Sequence, residues 1–436
     1  MPFSNHSRRR FLFMAAAGTA TCAAFGPAAQ ATDAGLPVSG EADDALKPFD
    51  DLMTSFVQRN KVPAASLAVT HRGRLVYARG FGYADGAKEP VKPTALFRVA
   101  SISKPITAVA VLQLVERGKL RLDDKVLDRM NLSPHLEAGA KPDARWREIT
   151  VRQCLQHTGG WDRDKSGDPI GRPLEIARAL GVAPPARPAD IVRFMMSRPL
   201  DFDPGSKEVY SNLGYLVLGR IVEAVTGATY EDYVKNEILG PLGIKSARLG
   251  RTLPANRAQG EVSYFDSQKR KAPSLYPPHE QVPLPDGAEN LEGFEAHGGW
   301  IASTVELVRF ASAFDEPDRS RLLQADTIAE MRARPTGAAG YKADGKPRDA
   351  YYGCGWNIRP IRDTGKTNDW HAGFIAGSEG LLVRRWDGLN WAVLFNTALA
   401  PDGKQRLAGL IDGPLHGAAD QVKRWPTADQ FSELLT

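Results

Sequence analysis

Ser101-Ile-Ser-Lys104, Tyr210-Ser-Asn212 and His371-Ala-Gly373 occur in that order along the chain. Together they hold a hydroxyl nucleophile, an amine and a phenol able to move its proton, an amide to orient them, and a glycine-containing segment suited to a strand edge. Ser101 and Lys104 are three residues apart, so a helix starting there stacks the hydroxyl and the amine on one face. A serine hydroxyl is a weak nucleophile until something takes its proton. A desolvated lysine can do so, because burial and nearby positive charge depress its pKa toward the range of a general base. Ser103 is at the wrong offset, since three residues beyond it stands Ile106, which supplies no base. Ser-x-x-Lys alone turns up about once by chance in a chain of this size, so the other two groups must carry weight.

A Tyr210 hydroxyl at the tip of a loop can share a proton with Ser101 or protonate a leaving group. Asn212 can orient Lys104 and donate to a substrate carbonyl. Taken alone, Tyr210 is a packing residue, and Ser211 or Asn212 is the cap of the helix that follows. His371-Ala-Gly373 runs into Phe374-Ile-Ala376; alone it is a turn into a strand. With its neighbours it becomes a cleft edge, where Gly373 permits close approach of a substrate and the amides of Ser101 and Phe374 converge as an oxyanion hole. The chemistry these residues imply is acyl transfer through a serine ester.

The elements that must position them follow from periodicity and punctuation. Residues 43–58 read as an amphipathic helix, and residues 65–69 and 75–80 as a hairpin turning at His71-Arg-Gly73. Residues 102–117 form a helix with Ile106, Val109, Leu112 and Val115 at helical spacing and Gly118 as its stop; Pro105 falls in the first turn, where it is tolerated. Residues 122–235 are mainly helical, with Tyr210 after the turn at Asp203-Pro-Gly205 and before a helix over 213–225. Helices over 305–314 and 327–333 lead into strands over 352–359, 378–384 and 390–396. The pattern predicts an α+β fold, an antiparallel sheet assembled from chain on both sides of a helical insertion. Its boundaries are a sheet domain of residues 43–100 and 300–436 and a mainly helical domain of residues 101–299. Residues 261–294, rich in proline and mixed in charge, are expected to form a long loop near the cleft rim. Trp161, Tyr264, Trp300 and Trp356 are candidates for an apolar wall, with core packing as the ordinary alternative for each.

Arg8-Arg-Arg10, a small-residue and apolar run, and Ala29-Gln-Ala31 read as a twin-arginine signal peptide over residues 1–31, followed by a linker over 32–42 and a periplasmic or secreted protein. A basic amphipathic membrane anchor is the alternative. The chain of 436 residues with 42% hydrophobic residues can bury a large core. Its net charge of +5, less the three arginines of the leader, leaves +2 on the remainder. With basic and acidic residues interspersed, nothing marks a nucleic-acid binder. The histidines are scattered and the cysteines lack metal-site spacing, so no metal or other cofactor is expected. Cys154 and Cys354 are read either as one disulfide or as two buried thiols.

Four stretches resemble a known family: Phe97-Arg-Val-Ala-Ser-Ile-Ser-Lys-Pro-Ile-Thr-Ala108, Ile149-Thr-Val-Arg-Gln-Cys-Leu-Gln-His-Thr-Gly159, Tyr210-Ser-Asn-Leu-Gly-Tyr215 and Gly298-Gly-Trp-Ile-Ala-Ser-Thr304. They are similar to the beta-lactamase-related serine hydrolases, among them class C beta-lactamases, D-Ala-D-Ala carboxypeptidases, D-aminopeptidases and family VIII esterases. The resemblance covers residues 43–411. It implies Ser101 as the acylated nucleophile, Lys104 as its partner, Tyr210 and Asn212 as the Tyr-x-Asn pair, and a site between sheet and helices. The expected substrate is a small ester, amide or peptide, peptidoglycan fragments included, with no obligate protein partner. One departure matters. Where many members have Lys-Thr-Gly, this chain has His371-Ala-Gly373, resembling the His-x-Gly variant of D-aminopeptidases and esterase-like members. A histidine there implies weaker, pH-dependent anion binding, with Arg309 or Arg384 as substitutes for the lost charge. The reading is therefore an esterase or D-amino-acid-type peptidase first. A beta-lactamase or D-Ala-D-Ala carboxypeptidase and a non-catalytic cell-wall binder are the alternatives.

Overall fold

Strand pairing brings residues 65–71 and residues 389–395 together in one sheet. The computed structural model describes residues 35–136, 141–361 and 364–435; the segment read as an export signal, Cys22 included, lies outside them. Eight strands form one antiparallel sheet: β1 (Val38–Ser39), β2 (Ala64–His71), β3 (Arg74–Gly82), β4 (Tyr351–Tyr352), β5 (Asn357–Ile361), β6 (Lys366–Ile375), β7 (Ser378–Arg384) and β8 (Leu389–Phe395), in the order β1-β3-β2-β8-β7-β6-β5-β4. The hairpin β2–β3 turns at Arg72-Gly73, both at positive φ, which suits the right-handed twist of the strands it joins. The seam between the early hairpin and the late meander is β2 against β8, from Ala65 opposite Phe395 to His71 opposite Leu389.

Both faces of the central strands are covered, so β7 and β8 are buried along their whole length instead of alternating. On one face Leu67, Val69, Leu381, Val393 and Phe395 pack beneath α1 (Lys47–Arg59), which buries Phe49, Met53, Phe56 and Val57 at helical spacing. On the other face Ala68, Leu382 and Leu394 join a larger core with α2 (Ser103–Glu116). This helix is buried on every side from Ser103 to Leu114, which follows from its place between the sheet and the helical part. Each large side chain there, Leu112 for one, contributes on the order of 2 kcal/mol by leaving water. The helical part includes α3 (Asn212–Thr226), capped by Ser211 Oγ on the Gly214 amide and stopped by Gly227 in the left-handed region. It also includes α4 (Leu291–Gly298). Helix α5 (Thr304–Ser312) packs on the sheet, and α6 (Leu407–Gln421) lies beside α1. The fold is α+β, as the pattern predicts, and residues 36–436 make one compact unit.

Two expectations are corrected. The strand expected over 352–359 is broken into β4 and β5 by the Gly353–Trp356 turn. Gly355 has φ +85° and passes so close to α2 that a Cβ there would meet Ala108 Cβ at 2.6 Å. Residues 261–294 are not a bare loop. They carry a two-stranded ribbon (Lys271–Pro273 with Gln281–Pro283) and the start of α4, and the buried Arg98 guanidinium holds them by donating to the Pro285 carbonyl at 2.7 Å. Cys154 and Cys354 are both buried free thiols, and burial pushes the Cys354 thiol up to about 12. No helix among the described residues is long and apolar enough to cross a membrane.

Candidate active site

The turn into α2 places the first pair. Ala100–Ile102 form one 3-10 turn, with Ala100 at φ +46°, a conformation that costs a residue with a Cβ about 1 kcal/mol or more. That turn presents Ser101 at the junction with the helix, and the helix carries Lys104 back under it. Lys104 is fully buried. Its Nζ stands 3.0 Å from Ser101 Oγ, 2.8 Å from Asn212 Oδ1 and 2.9 Å from the His297 carbonyl oxygen. Burial drives the lysine well below its ordinary pKa; the Asp168 carboxylate opposes this and the Arg163 cation adds to it. A neutral amine has two N–H donors and one lone pair. With three protons the amine donates to all three partners; with two, the carbonyl oxygens of Asn212 and His297 accept both and the lone pair faces the Ser101 hydroxyl.

Tyr210 and Asn212 arrive from the start of α3. The Asn212 amide is oriented from behind, its Nδ2 donating to Asp168 Oδ2 at 2.7 Å, so that Oδ1 faces Lys104. The Tyr210 ring lies 4.7 Å from Lys104 Nζ and packs at a tilt against His157, with 4.3 Å between ring centroids. Burial raises the phenol well above its ordinary range, while its hydrogen bond with Ser101 and the charge of Arg163 pull it back. His157, held at φ +58°, accepts the Ser211 amide on Nδ1 and also packs at a tilt against Tyr352, with 4.2 Å between centroids. Ser103, by contrast, turns away and donates to the Ala100 carbonyl at 2.6 Å.

The third group sits on β6. The two-residue turn Ala376-Gly377 makes Ile375 and Ser378 a bonded pair, so the next pair, Phe374 with Glu379, is a non-bonded one. The Phe374 amide therefore points away from β7. Pairing with β5 stops at Trp370, which leaves the outer edge of residues 371–375 facing the Ser101 turn. The approach is close: a Cβ on Gly373 would sit 2.0 Å from the Val99 carbonyl oxygen. The Phe374 ring is exposed, with the Arg406 guanidinium 4.5 Å from its centroid.

His371 behaves differently from the expectation. It is buried, its Nδ1 donates to the Ala372 carbonyl at 2.7 Å, and its Nε2 accepts from the Tyr352 hydroxyl at 3.0 Å. Burial pushes its pKa down to about 3. Both ring nitrogens are used internally, so His371 is a neutral wall residue and not a pH-dependent anion receptor. Neither proposed substitute for the lost charge reaches the site. Arg384 is buried against Asp369 and Asp315, with Nη1 2.8 Å from Asp369 Oδ2. Arg309 packs on Phe431 and donates to the Leu242 carbonyl. Tyr264, Trp300 and Trp356 are core residues; Trp161, also buried, lines a cavity beside Asn212.

The beta-lactamase family profile matches residues 49–412. The chain belongs to the beta-lactamase family. It is similar to penicillin-binding protein 4* of Bacillus subtilis (strain 168), 28% identical over 337 residues, which cover 72% of this chain and 64% of that protein. It is also similar to esterase EstB of Burkholderia gladioli, 33% identical over 247 residues, 55% of this chain and 59% of that one. The matches thus span less than two thirds of either relative's length. Among solved structures, the octameric penicillin-binding protein homologue from Pyrococcus abyssi is 25% identical with a TM-score of 0.64, covering 86% of this chain and 78% of that chain. The family match, like the motifs, runs across both the sheet and the helical part.

Sequence reasoning missed several groups around the family motifs. The His297 carbonyl, one residue before Gly298-Gly-Trp300, had a signal in that motif's glycines. His157 had one in its place within Gln156-His-Thr-Gly159. Asp168 and Arg163 lie in a segment with no pattern of its own, and only the fold brings them to Asn212 and Tyr210.

Proposed function

We propose that this protein is a serine hydrolase that cleaves an ester or amide bond through an acyl-enzyme on Ser101. The observation that carries the reading is the triple contact of Lys104 Nζ with Ser101 Oγ, Asn212 Oδ1 and the His297 carbonyl oxygen; once the amine is neutral, two of them take its N–H groups and its lone pair faces the Ser101 proton. Lys104 takes that proton, the freed oxygen attacks the substrate carbonyl carbon, and the Ser101 and Phe374 amides hold the oxyanion that forms. The proton passes through Tyr210 to the departing alcohol or amine as the carbonyl re-forms. Water then attacks the Ser101 ester by the reverse proton route, releasing the acid and restoring the hydroxyl. Asn212, fixed by Asp168, holds the lysine in register. The esterase named among the relatives supports ester cleavage.

The test is Ser101→Ala, with 4-nitrophenyl butyrate turnover and intact mass after brief acid quench. Turnover and the acyl adduct should both vanish while the fold is retained; an unchanged rate in that variant sinks the assignment. Similarity to a penicillin-binding protein favours a second reading, a slowly deacylating acyl-enzyme. Benzylpenicillin would separate the two: a persistent adduct on Ser101 supports it, and absence of an adduct supports the esterase or peptidase reading. The basic leader over residues 1–31 supports export to the periplasm or beyond, which a fusion of that segment to a reporter would check.

A further inference from the structure

Lys104 takes its two carbonyl contacts from different elements, Asn212 Oδ1 at the start of α3 and the His297 oxygen near the end of α4. The second depends on a break in α4. Glu295 stands inside that helix at φ +33° and ψ −108°, far from helical values and in a region that a residue with a Cβ rarely occupies. Past the break the backbone runs along α2. The Ala296 carbonyl accepts from Thr107 Oγ1 at 2.5 Å, the His297 carbonyl from Lys104 Nζ at 2.9 Å, and the Trp300 amide donates to Ser103 Oγ at 3.3 Å. A regular helix through Glu295 would aim the carbonyls of residues 296 and 297 along its own axis and away from Lys104. A strained residue persists only where its surroundings hold it, and here they hold the side chain. The Glu295 carboxylate lies on Arg220 of α3, a buried guanidinium whose other arm pairs with Glu223. The two segments also touch directly: a Cβ on Gly219 would meet Ala296 Cβ at 2.7 Å and Glu295 Oε2 at 3.3 Å. Arg220 is about two turns along α3 from Asn212.

We propose that Arg220 and Glu295 are positioning residues for the general base: their ion pair locks the break in α4 and so aims the His297 carbonyl at Lys104, which makes α3 responsible for both carbonyl partners of the amine. This rests on the acyl-enzyme reading above and extends it to two residues outside the sequence motifs. A buried ion pair adds little to stability once desolvation is counted, whereas a guanidinium fork spanning two carboxylates fixes direction. Without the His297 carbonyl the neutral amine keeps one oriented acceptor, and its lone pair no longer faces Ser101 in a single orientation.

The test measures kcat and KM on 4-nitrophenyl butyrate with the full protein, and thermal unfolding checks that each variant is folded. Arg220→Gln leaves Glu295 buried without its cation, so the deciding variant is Glu295→Ala, in which Arg220 keeps Glu223. Glu295→Ala should lower kcat by about ten- to a hundredfold with KM within about threefold of the wild type, the scale of a misplaced catalytic group. Glu295→Gln, whose amide oxygen still accepts from Arg220, should hold kcat within about threefold of the wild type. In a Lys104→Arg background Glu295→Ala should lower kcat no further, because the base it aims is already gone. Should Glu295→Ala not fold, Arg220→Met with Glu295→Met replaces the pair by apolar chains, a change that folds tolerate, and takes its place under the same expectations. A folded deletion of the pair with wild-type kcat overturns the proposal. A loss carried by KM alone, or one repeated at the same factor in the Lys104→Arg background, also overturns it and assigns the pair to the packing of α3 on α4. A Glu295→Gln protein as slow as Glu295→Ala does so too, since the bond to Arg220 is then not what aims the carbonyl. Ser101→Ala runs in parallel: if it hydrolyses the ester at the wild-type rate, the acyl-enzyme reading fails instead.

Discussion

The Tyr352 hydroxyl donates to His371 Nε2 at 3.0 Å, and this bond fixes the protonation state of the third motif. With Nδ1 giving its proton to the Ala372 carbonyl, the ring has a donor and an acceptor in use and no room for a second proton. Burial accounts for most of the drop in its pKa to about 3.

The drop has a consequence for stability, with a definite sign. Between about pH 6.5 and about pH 3 the unfolded chain binds a proton at His371 that the folded chain does not, so this group's contribution is complete above about pH 6.5 and is lost as pH falls. Each pH unit in that window costs about 1.4 kcal/mol. His371→Gln removes the titration. Urea unfolding should show the advantage of the wild type over this variant shrinking by about 2 kcal/mol between pH 7 and pH 5. A constant difference across that range would mean that His371 takes up its proton in the folded protein over the same pH range as in the unfolded chain.

Lys104 is the second pH-sensitive group, and in the proposed mechanism it controls rate. Its pKa is driven below the ordinary lysine value by burial, so the basic form that Ser101 needs is present at lower pH than for a free lysine. The acid limb of kcat/KM should bend at a pH below 10.5, the ordinary lysine value. Lys104→Arg keeps the stem but cannot lose its proton, and should lower kcat by about a thousandfold, within the usual range for a lost general base and its orientation. Retained turnover in Lys104→Arg would show that some other group takes the serine proton.

Much of this arrangement was legible before any coordinate, and the parts that were not have a common cause. Ser101, Lys104, Tyr210 and Asn212 lie in short motifs whose chemistry is written in residue type, and the helices that carry them have caps and periodicity to match. Arg72-Gly73 announced the first hairpin. What stayed hidden depended on contacts far apart in sequence. The break between β4 and β5 comes from Gly355 crossing α2, and the neutrality of His371 comes from Tyr352 and from burial under the fold. Arg384 read as a free cation because Asp369 and Asp315, its partners, are placed beside it only when the sheet closes.

Tyr210→Phe separates the phenol's hydroxyl from its ring. The ring would keep its contact with His157 and its place over Lys104, so fold and substrate binding should change little. In the proposed mechanism the hydroxyl passes a proton to the departing atom. Its loss should lower kcat by roughly a hundredfold or more while KM moves by a few-fold at most. Poor leaving groups should suffer more than 4-nitrophenol, which departs without a proton. An unchanged kcat on an alkyl ester would remove Tyr210 from the chemistry.

Gly373→Ala tests whether the β6 edge and the nucleophile turn form one rigid unit. An added Cβ would sit 2.0 Å from the Val99 carbonyl oxygen and 3.4 Å from Ala100 Cβ. The first distance is far inside contact range and involves backbone on both sides, so no side-chain rotation relieves it. One of the two segments must shift. Overpacking of this kind costs about 1–3 kcal/mol, which should lower the unfolding midpoint by several degrees. If the Ser101 and Phe374 amides share one oxyanion, the shift that accommodates the methyl must also spread those two donors. Loss of one such donor costs about a hundredfold or more in kcat. Gly373→Ala should therefore lose far more activity than stability at a temperature where it remains folded. A folded Gly373→Ala protein with wild-type kcat would show that the β6 edge takes no part in holding the oxyanion.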